Sequence, residues 1–584
     1  MDFGTEIIPL LTKHGCNSGA CHGAAAGRGE FRLSLFGSHP QKDYRSMVHD
    51  LKSRRINLSI PERSLLWKKA TESVSHEGGQ RFEPDSPASK RLIQWIRQGA
   101  PGPGHQRLLE FQVRLIAEQN PDDAPNAQPS EGQQTRCGRI ECIAKYNDGQ
   151  TENVGDWTVL TPEDAATCRI GSDGSVSVSI PGRHLVTARF LNRVVPIEII
   201  VPYSRGGLVA PENEAQTSRI DHFVNLRLEE MGLAAAGQCS DLQFLRRASL
   251  DLTGTLPDDD DIRWFQDQAG ESRREVLVDR LMQDPRFVDL WTLRLSEILR
   301  VTQIHDDAAV ECMISWIKGS LRDHTGFDGM IREMLLAEGP PAEYGPAGFY
   351  LVGSDARTQA EYVAEALMGA RLRCANCHDH PLDRWTQDDY HGLAAVFAGV
   401  ERGSTIRYTD HGTVIHPGTG QPAVPRTPGH QFLAAAQDYR RALADWMTSP
   451  ANRIVPRAMV NRLWRLLMGR GLVEPVDDFR ETNLASHPAL LEYLTDEFVA
   501  SGYDIQHVIR LIVMSQAYSR SCQPVDSQPV NDLFYSQALI RPLHPAVLLD
   551  AINDVAGRVP ETGDGGSRQI AMANPAMESD ELDV

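Results

Sequence analysis

The chain has 584 residues, which at about 150 residues per domain indicates roughly four domains. Apolar residues make up 41% and aromatic residues 7% of the chain, which excludes a largely disordered protein. The net charge of −19 argues against a general nucleic-acid binder, because such proteins need a basic surface to displace counterions from phosphates. No stretch approaches the roughly 18 consecutive apolar residues that a membrane span requires, so we expect no membrane span.

The N-terminal residues show neither the basic segment nor the apolar segment of a signal peptide. Taken alone, this start is typical of a cytosolic protein. The alternative is a chain that lacks its leader, and the cysteine motifs described next favour that alternative.

Residues 1–104 are expected to form the first domain. An apolar helical segment leads into Cys16 and Cys21, and His22 follows the second cysteine directly. Two thiols followed by a histidine are typical of c-type haem attachment, in which the thiols add across the haem vinyl groups and the histidine binds the iron. Four residues separate these cysteines, a less common spacing than two. A second helix, predicted over Ser89–Gly99, completes the layout of a small cytochrome c.

Such a domain needs a second axial ligand from its later half. His76 lies in a glycine-containing loop where that ligand is expected, and we favour it over the alternatives Met47 and His49. A histidine in a solvated loop with no ligand role is the other reading of His76. A His/His pair would give a lower reduction potential than a Met/His pair.

Residues 106–203 are expected to form a β-sandwich. Short β-rich runs alternate with turn signals such as Asn147–Gly149 and Ser172–Gly174. Nothing in this region predicts catalysis. Residues 204–217 are rich in glycine and proline turn signals and are predicted to be a linker.

From Arg219 the pattern is helical, and we expect a helical domain over residues 218–402. It contains Cys374 and Cys377 followed by His378, a C-x-x-C-H haem-attachment motif that chance would produce roughly 0.006 times in a chain of this composition. Zinc is an alternative there, with His380 and His391 completing a Cys₂His₂ set. A thioredoxin-like pair is less favoured, since no βαβ pattern surrounds the motif. The candidate distal ligands of a second haem are His391, His416 and His430.

A final helical domain is expected over residues 430–584, with predicted helices at 437–447, 455–468, 488–501 and 505–518. It contains a polar cluster, for which a structural ion-pair network is favoured over a paired-carboxylate site; its members are Asp477, Asp478, Arg480 and His487. His380, nearer the second motif, is expected to stabilise the turn before Pro381.

Several long runs resemble the multidomain cytochrome-c-like proteins of planctomycetes. The strongest are 15–23, 244–254, 374–390, 460–464, 469–473 and 477–480. The resemblance implies a mainly α multidomain protein: a cytochrome c-like domain, one inserted Ig-like β-sandwich and two helical domains without established activity. It also implies haem c at Cys16, Cys21 and His22, and adds weight to His76. In such proteins the last domain usually runs further, so we expect the native protein to extend beyond Val584.

The motifs and the resemblance together predict an extracytoplasmic electron-transfer protein, in the periplasm or at the cell surface, with one haem c at each motif and a redox partner protein. The other six cysteines could then form disulfides. The alternative function is a redox or hydrolytic enzyme, or a surface protein, acting in polysaccharide breakdown. In that case the Ig-like domain would bind a glycan or cell-surface partner. No Ser-His-Asp pattern, phosphate loop or H-E-x-x-H motif is present, so an electron-transfer protein is favoured over a stand-alone enzyme.

Overall fold

The computed structural model describes residues 1–117 except 25, 135–204, 218–525 except 269, 271, 430 and 434–436, 532–557, and 568–570. Helix accounts for about 45% of the residues and strand for about 13%, with small antiparallel sheets, so the protein is multidomain and contains both helix and sheet. No helix in these ranges is long and apolar enough to cross a lipid bilayer. By packing, the chain falls into two compact units.

The first unit comprises Met1–Arg205, Cys377–Thr386 and Arg480–Thr482. Its N-terminal part is helical, beginning with a π-helical turn at Phe3–Ile7. Its α-helices are α1 (Ile8–Lys13), α2 (Pro40–Val48), α3 (Asp50–Ser53), α4 (Leu65–Ala70) and α5 (Pro87–Arg97). Helix α5 starts where Ser86 accepts a hydrogen bond from the Ser89 amide, with Pro87 in the first turn. Its apolar face packs with α1 into one hydrophobic core, which confirms both predicted helices.

The remainder of the first unit contains two antiparallel sheets. One has the order β1-β2-β6-β5, with β3 also paired to β2, and the other has the order β4-β7-β8. The strands are β1 (Leu108–Ile116), β2 (Thr135–Tyr146), β3 (Thr151–Asn153), β4 (Val159–Pro162), β5 (Cys168–Ile170), β6 (Ser175–Val178), β7 (Gly182–Phe190) and β8 (Arg193–Val201). Buried residues of both sheets form a second core, separate from the helical one. The alternating burial along β7 shows that one face of its sheet covers this core.

The second unit comprises Gly206–Asn376, Gln387–Phe479 and Asn483–Val584. Its first helices are α6 (Arg219–Met231), α7 (Asp241–Leu252), α8 (Asp259–Asp267), α9 (Arg273–Gln283), α10 (Pro285–Ile298), α11 (Asp307–Arg322), α12 (Phe327–Leu336), α13 (Phe349–Val352), α14 (Ala356–Met368) and α15 (Gln387–Val396). Four short strands follow: β9 (Val400–Glu401), β10 (Arg407–Tyr408), β11 (Arg426–Thr427) and β12 (Gln431–Phe432). The last helices are α16 (Tyr439–Met447), α17 (Ile454–Met468), α18 (Pro488–Ala500), α19 (Ile505–Val513) and α20 (Pro545–Ala556).

The two predicted helical domains lie within this one unit and share buried polar contacts. Asp221 on α6 accepts hydrogen bonds from the amides of Gln516 and Ala517, at 3.0 and 2.8 Å. Arg462 on α17 is buried and donates to the carbonyl oxygens of Glu365 and Ala366 on α14. Burial lowers the pKa of Arg462 to about 10, and these carbonyls satisfy its guanidinium.

Candidate functional site

The first cysteine motif follows α1 directly and forms a tight loop. The His22 amide donates to the Cys16 carbonyl at 3.1 Å, and the Gly23 amide donates to the Ser18 carbonyl at 3.0 Å. A Cβ atom at Gly23 would lie 2.1 Å from the Asn17 carbonyl oxygen, so only glycine fits there. The loop therefore turns back on itself, which places both thiols and the histidine at one cleft.

This cleft, the thiol–histidine cleft, encloses about 290 Å³ and opens to solvent. Cys16, Cys21, His22 and His76 all line it, so the structure brings together the four residues that the sequence predicted for the first haem. Its apolar walls come from the following side chains: Leu11, Phe31, Leu33, Leu65, Leu66 and Ala70.

The rings of His22 and His76 lie close together and nearly parallel. Their centroids lie 6.2 Å apart and their planes differ by 16°. Two imidazoles that bind one metal ion from opposite sides, each through a bond of about 2.0–2.1 Å, hold their centroids about 6.3 Å apart. The observed centroid separation is close to that value.

Backbone carbonyls fix the orientation of both rings. Nδ1 of His22 lies 3.0 Å from the Phe31 carbonyl oxygen, and Nδ1 of His76 lies 2.9 Å from the Gly79 carbonyl oxygen. Since a carbonyl only accepts, Nδ1 carries the proton in each ring and Nε2 is the basic nitrogen of the neutral tautomer. Burial lowers the pKa of His22, and nearby His76 also lowers it, against hydrogen bonds to backbone carbonyls. A neutral imidazole is the form that binds metal.

The two thiols differ in environment. Burial raises the pKa of Cys16 to about 12, so this thiol is protonated at neutral pH. The Cys21 sulfur accepts a hydrogen bond from Nη2 of Arg81 at 3.2 Å. A protonated Cys16 is a poor zinc ligand, because zinc binds the thiolate.

Four cations line the cleft, and none of them was predicted from the sequence. They are Arg28, Arg55, Lys69 and Arg81. Within the described part of the chain none of them forms an ion pair with a carboxylate, and Glu77 is the one acidic side chain among the lining residues. In a chain of net charge −19, this makes the cleft locally basic.

Arg55 is held firmly within this group. Its guanidinium lies 4.5 Å from the centre of the Phe31 ring and donates to the carbonyls of Ser46 and Glu30. Burial lowers its pKa. The four cations come from separate loops and helices, so no local spacing could have marked them.

The alternative axial ligands lie elsewhere. Met47 is fully buried in the helical core. The His49 ring packs against the Tyr44 ring in a T-shaped arrangement, with the ring centroids 5.4 Å apart. Neither side chain lines the cleft. Of the three candidates, His76 is the one that lines the cleft together with His22.

The second motif has a different setting. Cys374 and Cys377 are both exposed, and Nδ1 of His378 lies 2.8 Å from the Asp379 carbonyl oxygen. The Leu382 amide donates to Nδ1 of His380 at 3.2 Å, which fits the predicted role of His380 in the turn.

The candidate distal ligands of the second haem have other contacts. His391 is fully buried, with Nε2 3.1 Å from the Asn376 carbonyl oxygen, and its ring lies 5.0 Å from that of His416. His430 lies outside the described residues.

No group of three or more histidine, cysteine or acidic side chains is arranged to hold a metal ion among the residues that the structure describes. All ten cysteines lie in described ranges, and no two of them are joined by a disulfide.

The polar cluster near residue 480 contains a two-point ion pair. Arg371 donates to both carboxylate oxygens of Asp477, at 2.7 and 3.2 Å. Nδ1 of His487 lies 2.9 Å from the Ser486 hydroxyl. These contacts fit a structural network better than a pair of catalytic carboxylates.

The comparisons with known proteins concern the helical part of the chain. Residues 219–402 match the family model PSCyt2, protein of unknown function (DUF1549), and residues 439–582 match PSD1, protein of unknown function (DUF1553). No curated protein and no solved structure matches the chain. Neither family match includes residues 1–104, so the comparisons show no cytochrome domain. Over its helical part, the chain therefore matches two families named for planctomycete cytochrome-c-like proteins.

Proposed function

We propose that residues 1–104 bind one haem c through Cys16 and Cys21, with His22 and His76 as its two axial ligands, and that the protein transfers electrons. The observation that supports this proposal is the pair of neighbouring imidazoles, with ring centroids 6.2 Å apart, in the same cleft as the two thiols.

The donor set fits haem better than a bare metal ion. A structural zinc site needs four protein ligands, and of the two thiols in this cleft Cys16 is a poor ligand because burial raises its pKa. Two imidazoles suffice for an iron whose other four ligands come from a porphyrin. Bound haem would supply one-electron redox chemistry.

The chain's own residues have distinct roles in this proposal. The thiols would anchor the group and the two imidazoles would hold its iron, while the carbonyls of Phe31 and Gly79 keep the imidazoles in the tautomer that binds metal. The four cations that line the cleft form no ion pair with a carboxylate among the described residues, and they would offset the negative charge of the haem propionates. A His/His pair favours a lower potential than a Met/His pair.

The proposal extends to a second haem c at Cys374, Cys377 and His378. It is supported by the motif and by the exposure of both thiols. Because haem c is attached outside the cytoplasm, we place the protein in the periplasm or at the cell surface, with a redox partner protein. The two sheets around one core support an Ig-like assignment for residues 106–203, which would serve a glycan or cell-surface partner.

The test uses the full chain, exported and produced with haem-maturation machinery. We expect a Soret band, covalent haem staining on a denaturing gel, and a count of two haems per chain. Replacing Cys16 and Cys21 together by alanine should lower that count by one. Colourless protein with stoichiometric zinc would contradict the proposal.

The axial pair needs a separate variant. His76→Ala should keep the covalent haem but lose the low-spin spectrum, and its reduced form should bind carbon monoxide. His105→Ala is the matched control, since His105 is exposed and does not line the cleft. If His76→Ala and His105→Ala both keep the low-spin spectrum, His76 is not an axial ligand.

A further inference from the structure

The second unit contains a cleft that the electron-transfer proposal does not use. We call it the arginine cleft. It encloses about 290 Å³, near the lower end of the range for small-molecule sites. One wall comes from α7, and the others come from the end of α17, the turn that follows α19 and the segment that precedes α20. Its α7 wall lies in residues 219–402 and the facing walls lie in residues 439–582, so both family-matched stretches contribute to it.

The one acidic side chain lining this cleft is already neutralised. The Tyr518 hydroxyl donates to Asp251 at 2.7 Å, and Nη2 of Arg541 lies 2.5 Å from both carboxylate oxygens of Asp251. Burial of Tyr518 and the neighbouring Asp251 charge raise the pKa of the phenol, so it remains a hydrogen-bond donor at neutral pH. Asp251, Tyr518 and Arg541 together therefore add no net charge to the cleft.

Two further cations line the cleft without an acidic partner. Arg246 is exposed, and no hydrogen bond or ion pair reaches its side chain from the residues that the structure describes. Arg247 donates to the backbone carbonyls of Tyr518 and Arg520, which are neutral acceptors. The cleft thus carries two uncompensated positive charges within a chain of net charge −19.

The rest of the lining is largely apolar. Leu250, Leu539 and Leu543 are among its side chains, and the amide of Gln537 also lines the space. A ligand complementary to this lining would combine an anionic group with an apolar body, because its charge would meet the arginines and its body would cover the leucines.

We propose that the arginine cleft binds a small organic carboxylate with an apolar body. A guanidinium presents two parallel N–H groups that match the two oxygens of a carboxylate. Arg246 would take this role, since its guanidinium has no other partner. The site does not depend on the haem proposal, because none of the residues that line it belongs to either haem motif.

Calorimetric titration of the full chain tests the site, with octanoate as the probe. Acetate lacks the apolar body and octanol lacks the charge, so both should bind at least about tenfold more weakly than octanoate. Binding of acetate or octanol as tight as that of octanoate would overturn the proposal, as would the absence of any octanoate binding.

A variant pair locates the site. Arg246→Gln should weaken octanoate binding by about tenfold or more, while Arg441→Gln should leave it unchanged. Both arginines are exposed and unpaired among the described residues, but Arg441 does not line the cleft. Equal thermal unfolding of the two variants would show that both fold. Equal octanoate affinity in the two variants would overturn the proposal.

Discussion

A buried carboxyl group in the N-terminal part of the first unit makes a pH-dependent contribution to stability. Asp43 on α2 is 1% exposed, and it accepts hydrogen bonds from the amide and the hydroxyl of Ser34, each at 2.6 Å. Burial raises the pKa of Asp43 to about 6, although both hydrogen bonds oppose the change. In the unfolded chain the pKa of an aspartate is about 3.9.

The sign of the effect follows from the raised value. Between about pH 4 and pH 6 the folded protein holds a proton that the unfolded chain releases, so folding stability falls as the pH rises through this window. A difference of about two pKa units corresponds to about 3 kcal/mol, which is the largest loss that Asp43 could cause by pH 7.

The substitution Asp43→Asn removes this titration. An asparagine can accept from the Ser34 amide through its oxygen and donate to the Ser34 hydroxyl oxygen, as a protonated aspartate would. We expect the variant to exceed the wild type in unfolding free energy by up to about 3 kcal/mol at pH 7 and to match it near pH 4.

Denaturant unfolding of both proteins at a series of pH values measures the effect. Other titrating groups are common to both chains, so the difference between the two curves isolates Asp43. Asp43→Ala is the control: it also removes the charge but leaves the Ser34 amide without an acceptor, and should give no gain at pH 7. Parallel curves for wild type and Asp43→Asn between pH 4 and pH 7 would refute the reasoning.

Two further predictions concern the second unit and the second motif. Asp251→Ala leaves the partly exposed guanidinium of Arg541 and the buried phenol of Tyr518 without their shared acceptor and should lower the unfolding free energy by about 1–3 kcal/mol. Asp445→Ala breaks a more exposed ion pair and should cost less than about 1 kcal/mol, so equal thermal shifts would contradict the difference in burial. Replacing Cys374 and Cys377 together by alanine should lower the haem count by one and keep the first haem; an unchanged count would exclude attachment there.

The sequence located most helices because their signals are local. The helix before the first motif and the one that closes residues 1–104 were predicted from apolar spacing and are confirmed as α1 and α5. The helix predicted over 505–518 ends earlier, at Val513. There the Ser515 hydroxyl donates to the Ile512 carbonyl, and the chain turns so that the next amides reach Asp221. The amides that follow the helix are bound by a carboxylate far away in the sequence, and the spacing of apolar residues cannot predict such a contact.

The candidate site was partly predictable for a similar reason. Adjacent residues and a fixed spacing marked Cys21 and His22, and a glycine-containing loop marked His76. The cations of the thiol–histidine cleft were missed, since each stands in an ordinary sequence context and only folding brings them together. The same holds for Arg246, whose lack of a partner is visible only in the structure.

The contacts between α6, α14 and the last third of the chain constrain how this protein can change over time. Asp221 accepts hydrogen bonds from two amides nearly three hundred positions away, and Arg462 donates hydrogen bonds to backbone carbonyls of α14. A gene rearrangement that separated residues 219–402 from 439–582 would leave a buried carboxylate in one product and a buried guanidinium in the other. Each is costly to bury without its partner. The two family-matched stretches should therefore be inherited as a pair, and a copy of either one alone should accumulate changes at Asp221 or Arg462 first.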